Sequence, residues 1–203
     1  MNDNEIDFLL EQWAQSPRAF AECFRIKNKD RTEVDFRVSV PQQLALEALT
    51  NYQKNVFLKG RQMWITTICL VWQLRLCLFK PGAICAVGMQ SDFNARQMSL
   101  TAHNLYKGND VLMELMPIDR QNDHQILFAN GSQMLFVTAN SPVLRSMPLN
   151  FAHLSEVRDY DDLGETLASI KVAPEGTLLL ESTAGGERSE EHTSELQSLA
   201  YLV

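Results

Sequence analysis

The chain has 203 residues, a formal net charge of -7, and 45% hydrophobic against 21% charged residues. That length and apolar content suffice for one domain with a sizeable core. The acidic balance excludes a protein that coats nucleic acid by general positive charge, though not a local basic patch.

The four cysteines, Cys23, Cys69, Cys77 and Cys85, lie in apolar runs without C-x-x-C spacing, which reads as buried free thiols in a reducing compartment. The polar, acidic start before Ile6 is unlike a signal peptide. The run 65–79 is strongly apolar but carries Gln73 and Arg75 and is too short to span a bilayer. A soluble chain of cytoplasmic type is expected.

In chain order, residues 3–25 show two short helical patterns, Ile6/Leu9/Leu10/Trp13 and Phe20/Phe24, split by Ser16-Pro17. Ser then Pro is an N-cap followed by a first helical position. After a charged turn at 27–32, residues 34–40 alternate like a strand around Arg37. Pro41 opens a helix with Gln42 and Gln43 in its first turn. A buried strand at 56–58, a tight polar turn and an apolar helix from about Ile65 follow. A strand at 83–88, a helix from Ser91 to Gly108 and a shorter helix at 110–116 come next, with Met98, Met113 and Met116 as core filler. Two apolar runs around Asn130-Gly131 predict a β-hairpin over 125–139. A loop with Arg145, a buried strand at 149–154, a helix at about 163–172 and a last strand at 177–181 complete the pattern. This order predicts an α/β three-layer sheet, mostly parallel, with a β-hairpin insertion.

The strand–loop–helix at 55–69 is the frame of a phosphate-binding loop, in which backbone N–H groups and a helix N-terminus face an anion. The common lettering G-x-x-x-x-G-K-S/T is not met: Trp64 and Ile65 stand where Gly and Lys belong if Thr66 is the hydroxyl. The residues KGRQMWITT (Lys59, Gly60, Arg61, Gln62, Met63, Trp64, Ile65, Thr66, Thr67) resemble instead the variant Walker A of tailed-phage terminase large subunits. That family commonly reads K-x-R-Q-x-G-x-S/T-T. The resemblance covers about 40–187 and includes three more motifs in the family's order. SVPQQ resembles the adenine-reading segment and assigns the reader to Gln43; LNFAHLSE resembles a Walker B; TLLLESTAGG resembles the coupling motif.

The resemblance implies a P-loop NTPase fold of the ASCE/terminase type, with ATP and Mg2+ as cofactors. Thr66, with Ser155, is implied on the metal side. Glu156 would orient or deprotonate the attacking water, and Ser182 and Thr183 would sense the γ-phosphate. Arg145 would be an arginine finger toward a neighbouring subunit. Ser155 stands where most P-loop enzymes have Asp, and a hydroxyl assists Mg2+ only weakly. Because Ile65 cannot contact a phosphate, Lys59 or Arg61 must supply the missing cation, with Lys59 favoured by the family pattern. Double-stranded DNA, the portal protein, the terminase small subunit and a homo-oligomeric ring on the prohead are the implied partners, with no membrane, in the host cytoplasm. A non-hydrolysing assembly module and a helicase-like ATPase are the alternatives. Residues 1–187 are expected to be the ATPase domain, cut before the family's nuclease domain. Residues 188–203, RSEEHTSELQSLAYLV, resemble one reading frame of a short-read sequencing adapter and are set apart as non-native.

Overall fold

The computed structural model describes residues 2–27, 30 and 32–183. The adapter-like 188–203, the 187/188 boundary and the last residues of the TLLLESTAGG motif lie outside the described residues.

Helix α1 (Asp3–Gln15) opens on a reciprocal cap: Asn2 Oδ1 accepts from Glu5 N, and Glu5 Oε2 accepts from Asn2 N. Ser16 caps α2 (Pro17–Ala21) by accepting from Ala19 N. Strands β1 (Arg25–Lys27) and β2 (Glu33–Asp35) form a small antiparallel sheet. The strand expected at 34–40 is therefore shorter than the pattern suggested. Phe36 and Val38 are both buried, and helix α3 (Val40–Asn51) already begins at Val40 because Ser39 and Gln42 cap it reciprocally.

The main sheet follows from β3 (Lys54–Lys59), α4 (Ile65–Phe79), β4 (Ile84–Met89), α5 (Asp92–Lys107), α6 (Asp110–Leu115) and β5 (Ile118–Asn122). It continues through β6 (Gln125–Phe128), β7 (Gln133–Thr138), α7 (Val143–Ser146), β8 (Leu149–Ser155), a 3-10 turn (Val157–Asp159), α8 (Leu163–Ser169) and β9 (Val172–Thr183). The strand order is β3-β9-β8-β4-β7-β6-β5, parallel from β3 to β7 and antiparallel from β7 to β5. The hairpin around Asn130-Gly131 forms, but its second strand is a central member of the sheet, running parallel to β4. Strand β5 was not legible in the sequence, since all but its first residue are exposed and it lacks an apolar pattern.

Alternation along the strands sends side chains to two cores. On one face Cys85, Val87, Phe151 and Leu179 pack with α1–α6; on the other Ala86, Ala152, Leu154 and Leu180 pack with Leu144 of α7 and Leu163 of α8. Helix α4 is buried nearly all round, as its composition predicts, with Ile68, Cys69, Leu70, Leu74 and Cys77 inaccessible. Its Arg75 donates to the carbonyls of Trp13 and Ala14 and so completes the C-terminal end of α1. Cys23, unlike the other three cysteines, is exposed. No helix among the described residues is long and apolar enough to cross a membrane.

Two boundaries differ from expectation in ways that bear on the site. Strand β3 is an edge strand with Leu58 exposed, so it is less buried than its letters suggested. Strand β9 starts at Val172 instead of Thr177, and its pairing with β8 slips between Leu149 and Phe151. Gly176 sits in that slip, where a Cβ would come 2.6 Å from the Leu149 carbonyl oxygen.

Candidate nucleotide site

Helix α4 begins directly after the polar loop 60–64, at the carboxyl end of β3. Gln62 (φ 65) and Trp64 (φ 57) are both left-handed, a conformation that costs a non-glycine residue about 1–2 kcal/mol. Trp64 occupies the N-cap of α4 without a side-chain cap bond, leaving the first-turn N–H groups for an outside acceptor. The loop is stapled twice: Gly60 N donates to Met63 Sδ, and Gln42 Nε2 donates to the Met63 carbonyl at 3.1 Å. Ile65 is buried in the core. Arg61 is exposed. Thr67 lines a cleft toward α5 with Trp64, on a different side from Thr66.

The glutamine that reaches the loop is therefore Gln42, not Gln43, the residue the sequence pattern singled out. Consecutive helical residues point about 100° apart. Gln43 turns to Glu47, to which its Nε2 donates at 2.9 Å, and it lines a cleft with Gln15 and Ser16. Beside the loop, Asp35, Phe36, Arg37, Gln42, Gln62 and Trp64 border a cavity of about 450 Å³.

The charged centre lies where β3, β9 and β8 end together. Register places Phe57, Glu181 and Ser155 in one row, with Lys59 and Thr183 paired two residues further along on the same face. Lys59 Nζ is 2.6 Å from Glu181 Oε1, 3.5 Å from Glu156 Oε1, and donates to Thr66 Oγ1 at 2.7 Å. Thr66 Oγ1 in turn donates to Glu181 Oε1 at 2.6 Å. Glu181 is fully buried, with its other oxygen 2.6 Å from His153 Nε2 and accepting from Ser155 Oγ at 3.3 Å. Burial pushes the Glu181 carboxyl upward, but His153 and Lys59 outweigh it and hold it down at about 2.

Glu156 has a left-handed backbone (φ 54, ψ 48). Its two carboxylate oxygens accept from Thr183 N at 2.9 Å and Thr183 Oγ1 at 2.7 Å. A left-handed non-glycine residue persists only where its surroundings over-determine it. Here Thr183 holds the carboxylate, and Arg158 Nη1 holds the Thr183 carbonyl at 3.1 Å. Ser182 is buried and, by strand alternation, lies on the face of β9 opposite Thr183. Arg145 pairs with Glu165 at 3.9 Å on α8, apart from this centre.

Of the sequence-expected residues, the structure thus brings together Lys59, Thr66, Ser155, Glu156 and Thr183. Glu181, His153 and Arg158 were missed as site residues. Glu181 was read only as a strand end, and nothing local marks His153, which sits inside a mostly apolar stretch. The oxygen donors at Thr66, Ser155 and Glu156 are the type Mg2+ takes, and among the described residues no three His, Cys, Asp or Glu side chains could hold a metal unaided. Bound there together with phosphates, such a cation would supply charge neutralisation.

A mostly parallel sheet with its phosphate-type loop and strand-end carboxylates on one edge defines a P-loop NTPase fold. No protein-family model and no curated protein sequence matches the chain. Among solved structures, the HK97 bacteriophage large terminase superimposes with a TM-score of 0.73 at 14% identity, over 92% of this chain and 41% of that one. The Thermus phage P74-26 large terminase ATPase domain gives 0.51 at 18% identity, over 74% and 71%. Dbp5 of S. cerevisiae, in a complex containing ADP, gives 0.55 at 15%, over 78% and 45%. At such identities the likeness is one of fold: the chain has the fold of phage large-terminase ATPase domains. It spans about two fifths of the HK97 chain.

Proposed function

We propose that the chain is the ATP-hydrolysing motor domain of a viral DNA-packaging terminase large subunit. The observation that carries this reading is the meeting of Lys59, Thr66 and Glu156 at the mouth of the loop 60–64. Lys59 is the cation that Ile65 cannot be. Its four-carbon stem folds back from the end of β3 to Thr66, so phosphates cradled on the α4 N-terminus would meet its ammonium. Thr66 and Ser155 would hold the Mg2+ that comes with the nucleotide, which would neutralise phosphate charge. Glu156, held by Thr183, orients the attacking water or takes its proton, and Thr183 links that carboxylate to β9, as expected of a coupling element. Ser182 follows as its neighbour. The cavity bordered by Gln42 seats the base, and Arg145 is kept as the finger presented to a neighbouring subunit. In the full protein this cycle would drive double-stranded DNA into a prohead, in a ring on the portal with the small subunit, in the host cytoplasm.

The test is equilibrium binding and turnover of ATP with and without Mg2+. A chain that binds no nucleotide is an assembly module and refutes the motor reading. The likeness to Dbp5 keeps a helicase-like ATPase in play. Unwinding of a short duplex, without packaging activity in the full-length protein, would select it.

A further inference from the structure

We propose that Glu181 is the carboxylate that holds the Mg2+ of the bound nucleotide, in place of the acidic group that Ser155 does not supply. The inference rests on the nucleotide-binding reading above and assigns a role to a residue outside its expected motifs.

The topology makes the substitution possible. Strand β9 lies between β3, which carries the loop, and β8, which ends in Ser155-Glu156. Glu181 is paired with Ser155 on one side and Phe57 on the other, so its side chain shares the face of Lys59 and Ser155. One bond longer than Asp, it spans from the neighbouring strand to the first turn of α4.

The geometry is close to that of two ligands on one ion. Mg2+ takes oxygens at about 2.0–2.1 Å in an octahedron, which sets adjacent ligand oxygens roughly 3 Å apart. Thr66 Oγ1 and Glu181 Oε1 are 2.6 Å apart and need only open slightly to admit a cation between them. Ser155 Oγ lies on the other carboxylate oxygen, at 3.3 Å, and brings no charge. Glu156 is engaged elsewhere, with both oxygens accepting from Thr183. That leaves Glu181 as the carboxylate on the hydroxyl of Thr66.

The oxygen in question already receives a cation, the Lys59 ammonium at 2.6 Å. Phosphates arriving at the loop would draw Lys59 toward them and free Glu181 Oε1 for the metal they carry. Meanwhile His153, 2.6 Å from the second oxygen, keeps the carboxylate oriented. A carboxylate with no solvent exposure costs several kcal/mol to bury unless its partners compensate.

The test uses the fluorescent nucleotide mant-ATP, titrated in Mg2+ and in EDTA, on the whole chain. Wild type should bind more tightly with Mg2+. Glu181→Gln should lose that enhancement, by about 10–100-fold, and still bind in EDTA. In Glu181→Gln, a further Ser155→Asp should return part of it. If Glu181→Gln keeps the full enhancement, the assignment is wrong while the nucleotide site stands. If wild type binds nothing under either condition, both readings fall. Should Glu181→Gln not fold, Mn2+ with ADP is examined by pulsed EPR on protein labelled with carboxyl-13C glutamate. The expected result is a 13C coupling that persists in Glu156→Gln. A coupling absent from wild type, or lost in Glu156→Gln, overturns the proposal.

Discussion

Replacing Lys59 by Met tests the charged centre without any nucleotide. The substitution keeps the length of the stem and removes the ammonium, which contacts Glu181 at 2.6 Å and Thr66 at 2.7 Å. The Lys59 side chain is 13% exposed and that of Glu181 0%, so solvent screens little of the loss. Breaking a buried pair by removing one partner costs about 3–5 kcal/mol, chiefly through the charge left behind. His153 stays within hydrogen-bonding distance of the carboxylate, at 2.6 Å, so the low end, about 3 kcal/mol, is expected. For a domain of this size each kcal/mol lowers the melting temperature by about 2–4 °C, giving a drop of roughly 6–12 °C. Urea and thermal melts of Lys59→Met, Glu181→Gln and the double variant form a cycle in which the double should cost less than the singles summed. Arg61→Ala, exposed, should stay within about 0.5 kcal/mol of wild type. In ATP binding, Lys59→Met should be the damaging change and Arg61→Ala the mild one. Lys59→Met within about 1 kcal/mol of wild type and additive with Glu181→Gln would refute the buried pair. An ATP phenotype confined to Arg61→Ala would move the cation to Arg61.

Glu156→Gln should retain ATP affinity while turnover falls about a hundredfold or more, read by steady-state hydrolysis, and unchanged turnover would remove Glu156 from the mechanism. Trp64→Gly relieves a left-handed backbone at φ 57 and should raise unfolding stability by about 1 kcal/mol in urea, whereas a clear loss would show that the indole packs productively. Gly176→Ala forces a Cβ to 2.6 Å from the Leu149 carbonyl oxygen and 3.1 Å from that of Ala173, so a thermal melt should report a loss of about 1–3 kcal/mol. In a native thiol titration Cys23 should react first, and Cys69, Cys77 and Cys85 only on unfolding. Burial pushes the Cys69 thiol well up, and the contact with Cys85, then burial, does the same for Cys77.

Local chemistry was enough for the elements whose causes are local. Ser16-Pro17 ends one helix and starts another because a hydroxyl cap and a fixed φ act within three residues. Asn130-Gly131 turns a hairpin because Gly131 tolerates φ 81. The apolar run of α4 announces a helix buried all round, and the strand, polar turn and helix at 55–69 announce the strand–loop–helix frame. Strand β5, the edge position of β3 and the early start of β9 left no such mark, since exposed or slipped pairing depends on what lies alongside. The same holds at the site. Gln42 rather than Gln43 reaches Met63 because the direction of α3 relative to the loop decides which face of the helix meets it. Glu181 reads as the end of one more apolar strand and is 115 residues from Thr66, its hydroxyl partner. Its role depends on β9 entering the sheet between β3 and β8, and strand order is settled by packing both faces of the sheet at once, which no stretch of sequence encodes alone.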